Sequence, residues 1–354
     1  MAATTLFDDF ERTDTTRDNF QVSHYTFLNT SAVPEAVNGR QKVSSWAEGF
    51  SLTHEFLRRF GSKINKQHSA ALFELFIFHY FKNHRLPIQC FDRADTPTPD
   101  FRIADKKQAF FVECTRSSNS SGTDSIDTLQ SVILDSFQKI NKQKHFINIE
   151  WLVCTERTPS QTKIRQLIGE FISNVNRRPF LIIDDAGWKI QIRLLPSSSS
   201  VKRGIGFMMH PAQIVTPHLN VLTALNDKRP GRYKLDGPYV IALLSEDMHL
   251  DYLDMDLALF DGAPFQDKLP VKRGRDNAFF IGRQRLINTS VSAVLLVQQL
   301  SAYRNGLPKM VLYHHPNAKY PLNPALFNMS QKRYERIDDD NYKIIEIAAK
   351  QSAD

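Results

Sequence analysis

The chain has 354 residues, enough for one large domain or two modest ones with a substantial core, and its apolar fraction of 42% with 25 Phe is that of a folded globular protein. Its 45 basic against 38 acidic residues give a net charge of +7, a tilt towards anionic partners that is too small to identify nucleic acid by itself. Cys90, Cys114 and Cys154 make an odd count with no CxxC spacing, which argues against a disulfide scaffold and a zinc site and suits a reducing compartment.

The N-terminal MAATTLFDDFERTD lacks a basic n-region and an apolar h-region, so no signal peptide is expected. Residues 1–40 read as polar and irregular. The text turns helical from Gln41 to Lys66, and a stronger helix opens at His68 or Ser69 through AALFELFIFHYFKNH until Pro87 bars it. A short strand PIQCF, a loop rich in Thr, Pro and Asp, and a hairpin TPDFRIADKKQAFFVECTR follow. SSNSSGTDS (117–125) reads as a flexible loop, Ile126–Lys144 as a helix and FINIEWLVC as a buried strand. TKIRQLIGEFISNVN is amphipathic and helical, and FLIIDDAGWKIQIRLLP is a second hairpin turning at Asp-Asp-Ala-Gly. HLNVLTALNDK reads as a helix and GPYVIALLSED as a central strand, apolar on both faces. A helix at 253–260, a strand–helix unit in AFFIGRQRLINTSVSAVLLV, a strand KMVLYHH and a polar tail complete the chain. The alternation of helices and strands predicts an α/β fold. ALFELFIFHYF and VSAVLLVQQL are too short to span a membrane, and Glu74 interrupts the first. The expected protein is soluble and cytoplasmic, with no membrane partner.

The first hairpin carries an acid in each apolar strand. If Lys106 and Lys107 form its turn, paired residues have numbers that sum to 213, so Asp100 faces Glu113 directly. Alternation then puts Asp100, Glu113 and Thr115 on one face, and Phe101, Ile103, Phe110, Val112 and Cys114 on the other. Two facing carboxylates repel unless one is protonated or a cation lies between them, and oxygen ligands suit Mg²⁺ or Mn²⁺. Glu74, mid-helix in an apolar run, also needs a partner, and a helix over the hairpin would aim it at the same cation.

Glu74, Pro99–Asp100 and Glu113–Cys114–Thr115 together resemble the PD-(D/E)XK nuclease superfamily. SSWAEGF, QHSAALFELFIF, TPDF, FFVECT, LNDKRPGRYKLDGPYVIALL, VSAVLLV and LYHHPNAKYPL are similar to segments of a set of uncharacterised bacterial proteins with that motif. The resemblance implies a restriction-endonuclease-like core, a central mixed sheet flanked by helices. Its parts would be 67–115 and 217–300, with a large insertion at 116–216, an N-terminal segment at 1–66 and a C-terminal one at 301–354. It implies metal ligation by Glu74, Asp100 and Glu113 and hydrolysis of phosphodiester bonds, in DNA before RNA, in restriction or defence; a homodimer is compatible with it.

The family's lysine two residues after the second acid is replaced here by Thr115, which offers only a hydroxyl to a water or phosphate. Within the superfamily that lysine migrates, and Lys228, before PYVIALL, is the first candidate to replace it. Lys139 in SFQKINKQK is the second, and is otherwise a nucleic-acid contact. Arg116 and the cluster with Lys202 and Arg203 are candidate phosphate contacts, although charged loops are more often simply solvated. If no lysine reaches the acids, the alternative is a catalytically degenerate module that binds nucleic acid or protein. HHPN (314–317) invites an HNH-nuclease reading, which a turn after a strand explains more simply.

Overall fold

In the computed structural model of the chain, which describes residues 5–15, 22–91, 97–105, 108–117, 121–138, 140, 145–174, 179–196, 205–207, 216–229, 231, 233, 235–247, 250–262, 268–270, 278–282, 285–304, 306–338 and 341–349, capping residues set the first helices. Ser23 accepts the Thr26 N–H to open α1 (His24–Thr30), and Pro34 starts α2 (Pro34–Trp46). Thr53 accepts the Phe56 N–H to open α3 (His54–Phe60). The irregular N-terminal stretch read from the sequence is thus helical from His24. These helices are short and held by tertiary contact rather than by a long period. Gly39 lets α2 approach α1, since a Cβ there would lie 2.9 Å from Leu28 Cδ2. Helix α4 (Asn65–Asn83) is buried almost all round, Glu74 included.

The chain divides into two compact units, one of 1–14, 23–118 and 216–354, the other of 15–22 and 119–215. The first contains β1 (Ile88–Cys90), β2 (Phe101–Ala104) and β3 (Ala109–Ser117). The second contains α5 (Ser121–Gln138), β4 (His145–Val153), α6 (Gln161–Ser173), β5 (Leu181–Asp185), β6 (Trp188–Pro196) and β7 (Ile205–Phe207). Returning to the first unit, the chain forms α7 (Pro217–Asn226), β8 (Tyr239–Ser245) and α8 (Tyr252–Phe260). The short β9 (Lys268–Pro270), β10 (Ile281–Gly282) and β11 (Arg285–Leu286) come next. They precede β12 (Ala293–Gln298), β13 (Lys309–His314), β14 (Ser330–Arg336) and β15 (Asn341–Ile347).

Among the described residues, the first unit is an α/β structure on a nine-stranded mixed sheet, ordered β1-β2-β3-β8-β12-β13-β14-β15-β9. β1, β2 and β3 pair antiparallel, β8 is parallel to β3, and β12 is parallel to β8. Every residue of β8 and β12 is buried, because both faces of the central strands are covered. On one face Val240, Ala242, Leu244, Val112 and Cys114 join the core of α4. On the other, Tyr239, Ile241 and Leu243 pack with Val221 and Leu225 of α7 and Met255 and Leu259 of α8.

Two expectations need correction here. VSAVLLV forms β12 rather than a helix; a short apolar run has no period that separates the two, and the neighbouring strands β8 and β13 decide it. The polar tail is instead two strands, β14 and β15, paired with each other between β13 and β9. Asp256 of α8, which is wholly buried, accepts from Lys332 Nζ at 3.3 Å and from Tyr334 Oη at 2.9 Å. Burial raises the Asp256 carboxyl above its ordinary pKa against the pull of Lys332.

The second unit carries a four-stranded sheet, β5-β6-β4-β7, with the apolar residues of α5 and α6 packed on Ile147, Ile149, Trp188, Ile190 and Ile192. The β5–β6 hairpin turns at Ala186 and Gly187, with φ of 50° and 85°, the pair of positive values a tight hairpin needs. Helix α5 begins at Ser121, inside the stretch read as a loop. Among the described residues no helix is long and apolar enough to cross a membrane.

Candidate functional site

The β2–β3 pairing runs from Phe101 opposite Val112 to Ala104 opposite Ala109, the register in which paired numbers sum to 213. The turn residues Lys106 and Lys107 lie outside the described residues. β2 stops at Phe101 while β3 continues to Ser117 against β8. At this step the Cys114 N–H, turned to the side that β2 has left, donates to Asp100 Oδ2 at 2.7 Å. Asp100 is therefore buried, at 6% exposure, as the polar plug of a strand end.

Glu113 is 3% exposed and stands beside Ile241, on the sheet face covered by α7. Lys228, two residues beyond α7, reaches it with Nζ 2.6 Å from Oε1. The backbone of Lys228 is fixed from both sides: its N–H donates to the Leu225 carbonyl at 3.1 Å and its carbonyl accepts Tyr239 Oη at 3.0 Å. Of the two candidate replacement lysines, Lys228 is thus brought to Glu113, and Lys139 lies outside the described residues. Thr115 is half-buried on the face of Glu113, paired with Leu243.

Glu74 lies on the opposite face, in the layer of α4, and it departs from the expected three-acid cluster. Arg59 of α3 grips it in bidentate fashion, with Nη1–Oε1 at 2.6 Å and Nη2–Oε2 at 2.7 Å. The protein itself supplies a cation to each of two buried acids, Arg59 to Glu74 and Lys228 to Glu113. Arg59 had no sequence signal, because a basic residue in the last turn of a seven-residue helix is ordinary. The buried Cys114 thiol senses all of these groups. Burial first, then Asp100, Glu74 and Glu113, push it well above its ordinary pKa, and Lys228 pulls it down.

In kind, carboxylates suit a hard divalent ion such as Mg²⁺ or Mn²⁺. In arrangement, no group of three His, Cys, Asp or Glu side chains among the described residues is placed to hold a metal. Asp100 shares the lining of one cleft with Glu74, and Glu113 meets Lys228 on the face covered by α7.

Of the expected phosphate contacts, Arg116 is instead tied to Glu246, Nη1 to Oε2 at 2.6 Å, and Lys202 and Arg203 lie outside the described residues. His314 and His315 are buried and structural: His314 Nε2 meets Gln331 Oε1 at 2.8 Å, and His315 Nε2 meets the Ile287 carbonyl at 2.8 Å. On the α4 side of Asp100 a cleft of about 300 Å³ opens between α3, α4 and the ends of β1 and β2. No protein-family model, curated protein or solved structure matches the chain.

Proposed function

We propose that the chain is a metal-dependent nuclease on a restriction-endonuclease-like core, acting on phosphodiester bonds, most readily those of DNA. The order α4, β1, β2, β3, α7, β8, with three antiparallel strands followed by a parallel one, supports that core. The observation that carries the reading is the Lys228–Glu113 contact at 2.6 Å, on the strand whose Cys114 N–H donates to the buried Asp100. In this reading Lys228 would supply the charge that Thr115 lacks. Asp100 and Glu113 would hold Mg²⁺ or Mn²⁺, which when bound supplies a Lewis acid that activates water and neutralises charge on the phosphate.

The remaining roles belong to the chain. Lys228 has three donors, of which one engages Glu113, and the others can orient the attacking water. Its backbone clamp on Tyr239 and Leu225 keeps that ammonium fixed while substrate enters. The Thr115 hydroxyl, on the same strand face as Glu113, would contact a water or phosphate oxygen.

Plasmid nicking tests the reading. Mg²⁺ or Mn²⁺ should support cleavage by the native chain, EDTA should stop it, and Asp100→Ala and Glu113→Ala should each abolish it. The second reading, a module that binds without cutting, is favoured by the Arg59–Glu74 pair, which already neutralises one expected metal ligand. It predicts nucleic-acid binding that is unchanged in both variants and no cleavage by any of them.

A further inference from the structure

We propose that the cleft beside Asp100 is a subsite for one unstacked nucleobase of a single-stranded or locally opened nucleic acid. Its identity as a nucleic-acid subsite rests on the nuclease reading; its shape and chemistry do not. The space, about 300 Å³, is at the small end of small-molecule sites, so a single planar group enters it while a stacked base pair does not.

Its walls are aromatic and braced. Phe50 and Phe91 line the cleft and are half-buried. Phe50 leans on Phe56, with ring centroids 4.6 Å apart, and on Phe101 at 6.5 Å; Phe91 stacks on Phe111 at 6.4 Å with 24° between planes. Rings held in this way lose little freedom on binding, and every base offers a face to stack on. Gly49, with φ of 81°, takes the chain out of the turn after α2 and brings Phe50 to the rim; a side chain at that position would be strained.

The floor is the Arg59–Glu74 pair. Arg59 offsets Glu74 at the floor, but Glu55, 3.7 Å from the same guanidinium, and Asp100 leave the lining net acidic, so the cleft takes the neutral base and the strand's phosphates stay outside it. The planar pair sets acceptor oxygens beside donor nitrogens, an arrangement that the edge of a base complements. Asp100 also lines the cleft, so a base seated there would place its own phosphate close to that acid. Extruding a base from a duplex costs a few kcal/mol and extruding one from a single strand costs least, so the subsite selects single-stranded or distorted segments.

The test uses the full chain carrying Glu113→Gln, which disables cleavage without touching the cleft, and labelled single-stranded oligonucleotides in deoxy and ribo form. Phe50→Ala and Phe91→Ala, added singly, should raise the Kd for a base-bearing strand by about 5–150-fold in at least one sugar form. An abasic strand of equal length should bind weakly to the parent and no more weakly to the ring variants. Should either alanine variant unfold, Phe50→Leu and Phe91→Leu keep the volume, remove the ring face and should still lose affinity. Equal affinity for base-bearing and abasic strands, or ring variants that bind as the parent does with both sugars, overturns the subsite. Cleavage by the native chain alongside such a result would leave the nuclease reading standing. Ring-dependent binding with no cleavage by the native chain would uphold the subsite and refute the nuclease.

Discussion

Lys228→Met is expected to lower metal-dependent cleavage by about 10²–10⁴-fold, the range typical of losing a positioned proton-transfer group. The reason is geometric. Lys228 contacts Glu113 at 2.6 Å, its backbone is clamped by Tyr239 and Leu225, and the strand itself offers only Thr115 two residues beyond Glu113. The same substitution removes the ammonium from a carboxylate that is 3% exposed. Breaking a fully buried pair costs about 3–5 kcal/mol; since the Lys228 side chain is 26% exposed, a loss of roughly 1–3 kcal/mol is expected in urea denaturation. Adding Glu113→Gln to Lys228→Met should recover part of that stability and none of the activity. Cleavage that survives Lys228→Met at the native rate would reduce Lys228 to a counter-ion.

The second large effect is acid lability through two buried histidines outside the site. Burial pushes the pKa of both His68 and His315 down to about 4. Burial outweighs the hydrogen bonds to backbone carbonyls, which by themselves would raise both values. His315 Nδ1 already accepts the Asn317 N–H at 3.0 Å, so its proton sits on Nε2 and donates to Ile287. His68 Nδ1 donates to the Phe60 carbonyl at 2.6 Å, which leaves Nε2 as a bare acceptor buried near the Tyr25 and Phe60 rings.

The sign follows from proton counting. Between the ordinary histidine pKa of 6.5 and about 4, the unfolded chain binds a proton at each site that the folded chain refuses. Stability is therefore full above 6.5 and falls as pH drops towards 4, by on the order of 3 kcal/mol per histidine. Chemical denaturation between pH 7 and pH 4 checks this, and His68→Gln and His315→Gln should each flatten the slope. A flat native profile would contradict it.

The strand pair that carries the acids was legible because its information is local. Alternation and a two-residue turn fix which residues face each other, and the pairing of Phe101 with Val112 follows from them. Tyr239–Ser245 announced a central strand by being apolar on both faces. What stayed hidden depends on partners distant in sequence. Glu74 in an apolar helix demanded a cation, but only the packing of α3 on α4 makes that cation Arg59 rather than a metal shared with Asp100 and Glu113. Ala293–Gln298 became a strand because β8 and β13 flank it. The charged β14 and β15 were hidden because their polar residues read like those of a loop, and only pairing with β13, with each other and with β9 makes them strands.

The central claim is that Asp100 and Glu113 share one divalent ion, with Lys228 beside it. Electron paramagnetic resonance of the full chain titrated with Mn²⁺ measures this most directly. The native protein should hold one Mn²⁺, and Asp100→Asn or Glu113→Gln should lose it while remaining folded. No retained Mn²⁺ in the native chain, or undiminished binding in both variants, would contradict the account.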